Sequence, residues 1–242
     1  MISHRTSVSR FNYSFTPTLV MTLLACFAMV LFISLGCWQV ARSHEKRDML
    51  QREALLSIKA PRLFQAKSLQ PVQYEQLKVS GVFLPYIFLL DNQYLDHQMG
   101  FDVLTPLALD QDHVLLVDRG FIPLLGTRAD LPNVPIPSGL IHMSGRAYFP
   151  SKKNWVLGEG IEQRKKDLLI LETIDRDMLS KFLHKSVYPF IMRLNVHEPY
   201  GYHRAWATVS MPPVRHLGYA VQWFAMAGAV LVLFIVLNLK KR

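Results

Sequence analysis

The chain has 242 residues and a formal net charge of +9, with 27 Lys+Arg against 18 Asp+Glu and half of all residues hydrophobic. Such a basic balance would suit nucleic acid, but no aromatic-basic binding motif accompanies it, so membrane topology signals are the better account and nucleic acid is set aside. Both of its cysteines, Cys26 and Cys37, fall in one apolar run, about 16 Å apart if helical; they cannot pair, which also excludes a copper carrier built on a cysteine pair.

Residues 1–18 are polar, with Ser and Arg and no acid, and read as a bacterial cytoplasmic tail; a mitochondrial presequence would be unusually short. Leu19 to Val40 is uncharged and long enough to cross a bilayer, since roughly 20 apolar residues cover its hydrocarbon core. A cleaved signal peptide is the rival reading, but the run is too long and no small-x-small site follows. Ser43 to Leu56 continues as a charged helix, with Leu35, Gln39, Arg42 and Lys46 along one stripe and Trp38 beside it. Pro61 ends it.

A β-rich stretch begins there. Leu77, Val79, Gly81 and Phe83 alternate with polar residues, which predicts a half-buried strand. Tyr86 to Leu90 is the next, with Asp91-Asn92 as its turn signal. Further strands are expected at Phe101–Leu109, His113–Ile122 and Ile141–Phe149, with Pro-rich Leu131–Ser138 as a loop. Val79-Ser80-Gly81 is echoed by Met143-Ser144-Gly145, a hint of a repeated strand pair. Gly158 to Lys166 reads as a polar loop. Thr173 caps a helix with Asp175 and Asp177 in its first turn and Met178, Leu179, Phe182 and Leu183 on its buried side. Tyr188 to Val196 is a last strand, and Glu198 to Pro213 leads back to the membrane.

From Leu217 to Leu239 no residue is charged, and Lys240-Lys241-Arg242 follow. The expected organisation is therefore a tail (1–18), a first span (19–40), an α+β, mostly antiparallel domain (41–215), a second span (216–239) and a basic tail (240–242). The terminal basic residues, with Arg5 and Arg10, keep both ends inside; Arg42, Lys46, Arg47 and Arg52 argue the other way, but long domains cross largely regardless of charge. The domain is then periplasmic in a bacterial inner membrane, or faces outward from a mitochondrial one.

At the head of the second span, His216, Tyr219, Ala220 and Trp223 share a helical face by i, i+3, i+4, i+7 spacing. Two readings stand: an aromatic belt at the interface, or a ligand face, since imidazole ligates haem iron and aromatic rings can wall a macrocycle. No phosphate loop, nucleophile elbow, His-Glu-x-x-His or paired-Cys motif occurs, and the other histidines show no ligand spacing, so no catalytic set emerges and an enzyme is not expected. Asp91, Asp96, Asp102 and Asp118 are read as turn and strand-end residues.

The motif Leu35-Gly36-Cys37-Trp38-Gln39-Val40-x-Arg42 resembles the Leu-Gly-x-Trp-Gln-x-x-Arg signature of the surfeit locus protein 1 family. Val79–Phe83, Asp91–Gln93, Gly100–Leu107, Val117–Pro123 and the block Arg215–Phe224 resemble that family's later motifs, in its order and over nearly the whole chain. The family's Asn-Arg-Gly stands here as Asp118-Arg119-Gly120, read as a harmless departure. The resemblance implies an assembly factor for haem-copper cytochrome c oxidase that binds haem a as transient cargo. Its implied partners are the oxidase's catalytic subunit, the haem a synthesis machinery and the lipid bilayer. His216 matches the family's candidate iron ligand. On that reading Trp38 and Trp223 flank the ring, Tyr219 lines it, Arg42, Arg204 or Arg215 meets the propionates, and Cys37 is a less favoured second ligand. A membrane scaffold that binds no haem, and a haem enzyme, are the alternatives.

Overall fold

A computed structural model describes residues 13–127, 130–150 and 161–241. Arg5, Arg10, Arg242 and the start of the Gly158–Lys166 segment lie outside these. The chain forms two compact units: the described residues of Met1–Leu50 with those of Val209–Arg242, and Gln51–Thr208.

The first unit is a helix pair. Helix α1 (Leu19–Ser57) begins in it, and its last turns belong to the second unit; α3 (Pro213–Asn238) completes the pair. Both are long and apolar enough to cross a membrane, and only 6% and 11% of their most apolar windows are buried, far less than the core helix of a soluble protein would show. Short strands β1 (Tyr13–Phe15) and β11 (Leu239–Lys241) pair antiparallel, so part of the expected tail is ordered against the end of the second span.

The second unit is a nine-stranded sheet. In chain order its strands are β2 (Arg62–Leu63), β3 (Gln76–Phe83), β4 (Ile87–Leu95), β5 (Gln98–Ala108), β6 (His113–Pro123), β7 (Leu140–Tyr148), β8 (Ile161–Gln163), β9 (Leu168–Leu171) and β10 (Ser186–Leu194), with α2 (Arg176–Leu183) between the last two. The sheet runs β2-β3-β7-β10-β6-β5-β4-β9-β8, and β3 also pairs with β5. That extra pairing closes β3, β7, β10, β6 and β5 into a ring. β5 is long enough to serve two neighbours on one edge, β4 near Gly100–Leu104 and β3 at Leu107–Ala108. Inside the ring Leu77, Val79, Leu107, Leu115, Phe190 and Met192 are buried together; each contributes about 1.5–3 kcal/mol. Most pairings are antiparallel, as expected; β6–β10, β4–β9 and β2–β3 are parallel. The two echoed segments are hydrogen-bonded partners, with Val79 opposite Met143.

Three expectations need correction. The cap of α2 is Asp175, not Thr173: its carboxylate accepts from the N–H groups of Asp177 and Met178 at 2.9 and 3.0 Å, and Thr173 lies too early to reach them. The turn after β4 is not Asp91-Asn92. The strand continues through a bulge there, with Asn92 left-handed, and reverses at Asp96-His97, where both φ angles are positive as a two-residue hairpin requires. β9, Leu168-Leu-Ile-Leu171, escaped notice because it is buried on both faces and does not alternate.

A further correction has chemical weight. Asp118 is not a turn residue but a buried side chain in mid-strand, and Asp102 on β5 is half-buried. Burial lifts the Asp118 carboxyl well above the usual range; Asp102 adds repulsion, while Arg193, with Nε 3.6 Å away, and the Gly120 N–H pull it back. Burial likewise raises Asp102, with Arg193 opposing. The neighbouring motif residues are structural. Arg119 donates to the carbonyls of Tyr200 and Pro135 at 2.7 and 3.0 Å, and a Cβ on Gly120, at φ +113°, would sit 2.7 Å from the His203 carbonyl oxygen.

A raised folded-state pKa means the native state binds the proton more tightly. The stability it contributes is complete below the unfolded carboxylate pKa and is lost as pH rises through the folded one. Asp118→Asn should therefore melt a few degrees above the parent chain near pH 8 in detergent, with the gap closing towards pH 4. A gap of constant size would show that Asp118 is not the proton's holder.

Candidate functional site

Along α3 the side chains that are not outward-facing are Pro213, His216, Ala220, Trp223, Ala227, Val230, Phe234 and Asn238. Their spacing alternates between three and four residues, the 3.5-residue repeat of a left-handed helix seam. On α1 the buried residues are the small Ala25, Gly36 and Ser43. Contacts run antiparallel down the pair. Phe15 meets Phe234 edge-on at 5.8 Å, Phe32 meets Trp223 at 5.7 Å, and the Ser43 hydroxyl donates to the Pro213 carbonyl at 3.0 Å. Gly36 lets the two helices approach closely: a Cβ there would lie 2.5 Å from the Phe224 ring, which would have to shift.

His216 sits in the first turn of α3, where Pro213 occupies the helix start and no side chain caps the N-terminus. It is only 8% exposed. Its Nδ1 is 2.7 Å from Oε1 of Gln39. An amide oxygen can only accept, so Nδ1 carries the proton and Nε2 keeps its lone pair. That Nε2 is buried and has no hydrogen-bond partner among the described residues. The arrangement is what a metal-binding imidazole needs: one nitrogen fixed by an outer partner, the other free to ligate. No set of three or more His, Cys, Asp or Glu that could hold a metal ion occurs among the described residues.

The remaining predicted residues separate. Trp223 lies on the seam, one turn deeper than Ala220. Tyr219, 44% exposed, is about 60° round the helix from His216 and faces outward. Trp38, at 56%, and Cys37 also face outward from α1. Arg42 is half-buried and bridges to Glu45 one turn on, whereas Arg215 is exposed. Arg204 belongs to the second unit, where its guanidinium donates to the carbonyls of Asn195, Glu198 and Tyr202. Sequence reasoning set Gln39 on one stripe of the first helix with Leu35 and Arg42 without seeing it as the imidazole's partner. The signal was there, an uncharged amide inside an apolar run.

The SURF1 family model matches residues 26–228, from the first span to the middle of the second. The SURF1-like protein of Rickettsia bellii is 26% identical over 231 residues, covering 88% of this chain and 88% of its own. That of Rickettsia felis is 24% identical over 233 residues, covering 88% and 95%. That of Rickettsia conorii is 25% identical over 231 residues, covering 88% and 89%. The family match covers most of both membrane-length helices, the positions of Gln39 and His216 and the domain between them: the chain belongs to the SURF1 family, a family of oxidase assembly factors.

Proposed function

We propose that this chain binds haem a in transit and aids its insertion into the catalytic subunit of a cytochrome c oxidase, with His216 as the iron ligand. The observation that carries this is the His216 Nε2, buried, unpartnered and fixed in tautomer by Gln39. It acts in a bacterial inner membrane, its second unit in the periplasm, and takes its cargo from the haem a synthesis machinery. It catalyses no reaction. A cargo held through one imidazole can be released, as a carrier requires. Trp223 offers a ring within the seam, Tyr219 and Trp38 offer rings at the outer surface, and Arg42 and Arg215 offer guanidinium groups for propionates.

The burial of His216 also supports a second reading, in which the His216–Gln39 bond ties two helices of a scaffold that stabilises the nascent subunit and never meets iron. The two part on one experiment. In a strain lacking this chain, the carrier predicts that His216→Ala accumulates to normal levels but leaves the oxidase depleted of haem a. The scaffold predicts full haem content wherever the variant accumulates.

A further inference from the structure

The second unit contains a cavity of about 200 Å³ that the haem reading does not use. Its walls come from β4, β5, β6, β10 and the return segment after β10, and its notable side chains are Tyr94, Asp102, Phe121, Arg193, His203 and Trp206. Asp102 presents a carboxylate for which no hydrogen bond occurs among the described residues, although it is half-buried. Behind it stands Asp118, buried, with the Arg193 guanidinium at 3.6 Å. That guanidinium lies over two rings, 3.6 Å from the centroid of Tyr148 and 5.0 Å from that of Trp206.

The charges do not balance. Two carboxylates face one guanidinium in a partly enclosed space, and enclosed charge is tolerated only when paired. One positive charge is missing. The upward shift of both carboxyls favours a proton in that place. The walls suit another occupant, because Tyr94, Phe121 and Trp206 present aromatic surface beside Asp102, and aromatic faces attract cations.

We propose that this cavity binds a guanidinium or primary ammonium group, anchored on Asp102, which supplies the positive charge that Asp102, Asp118 and Arg193 leave unmatched. In the occupied state the ligand pairs with Asp102, Asp118 pairs with Arg193, and one proton leaves to solvent. The group arrives as a basic side chain of a partner protein or as a small organic cation. Binding tightens as pH rises, since the competing proton is then scarcer. The groups facing Asp102 are Tyr94 from β4, Asp118 from β6, Arg193 from β10 and His203 from the return segment.

The test uses the full chain in detergent, titrated by calorimetry with butylguanidinium and with a blocked Ala-Arg-Ala peptide. The expected results are affinity at least tenfold higher at pH 8 than at pH 5.5, release of a proton, and loss of binding in Asp102→Asn. Asp118→Asn should weaken binding and flatten its pH profile although Asp118 does not line the cavity, because Arg193 is then balanced by Asp102 alone. The profile should persist in His203→Gln, whose imidazole could otherwise imitate it. Tighter binding of the peptide identifies a partner's side chain, and equal binding a small cation. Undiminished binding in a folded Asp102→Asn, or binding of acetate in place of the cation, overturns the proposal.

Discussion

Gln39→Leu is expected to lower haem affinity by about 10–100-fold while the two membrane helices remain paired. The reason lies in the tautomer. With Gln39 in place the proton sits on Nδ1 and the lone pair on Nε2. Leucine has nearly the same bulk but accepts nothing, so the imidazole can turn or exchange tautomers and leaves a buried N–H without a partner. The helix pair keeps its other contacts, Ser43 on Pro213, Gly36 against Phe224 and Phe32 against Trp223. Gln39→Glu is the informative companion. A carboxylate accepts more strongly, fixes the same tautomer and should hold haem at least as tightly as the parent chain. The measurement is a haem titration of the purified chain followed by absorbance. Equal affinity in Gln39→Leu and the parent would remove Gln39 from the site.

Glu53→Ala is expected to destabilise the second unit by about 3 kcal/mol, the low end for breaking a buried ion pair. Glu53, near the end of α1, receives a guanidinium N–H of Arg146 and the Thr208 hydroxyl, and Arg146 also donates to the Trp206 carbonyl at 2.7 Å. Arg146 is buried, and its Nε already lacks a partner. Burial, reinforced by the charge of Arg193, lowers its pKa to about 10. Removing Glu53 leaves that charge enclosed and unmatched. A loss of this size should lower the midpoint of thermal unfolding by roughly 6–12 °C in a domain this large. The double variant Glu53→Ala/Arg146→Met should recover most of the loss, because the orphaned charge goes with its partner. A loss below about 1 kcal/mol would class the pair with ordinary surface bridges.

The contrast between what was legible in the sequence and what was not follows from the physics of each element. The spans announced themselves by length and lack of charge. Strands β3, β6 and β7 showed in their alternation or turn boundaries, because at least one face or end meets solvent. β9 did not show, since a strand covered on both faces reads as any short apolar run. Asp96-His97 was passed over for Asp91-Asn92 because a bulge and a turn use the same left-handed residues. Asp118 looked like a mild departure from Asn; only the fold reveals that it brings a carboxyl into the protein's interior beside Arg193. At the site, periodicity singled out His216 but grouped it with Tyr219, which faces outward. What spacing along one helix could not supply was the partner across the seam, Gln39.

The most direct measurement is the optical spectrum of the full chain, purified from cells that make haem a, for the parent and for His216→Ala. The account predicts a haem a spectrum in the parent that the variant loses or shifts, with both proteins folded by circular dichroism. A parent chain that purifies folded and without haem from those cells, or a His216→Ala chain with an unchanged haem a spectrum, would contradict it.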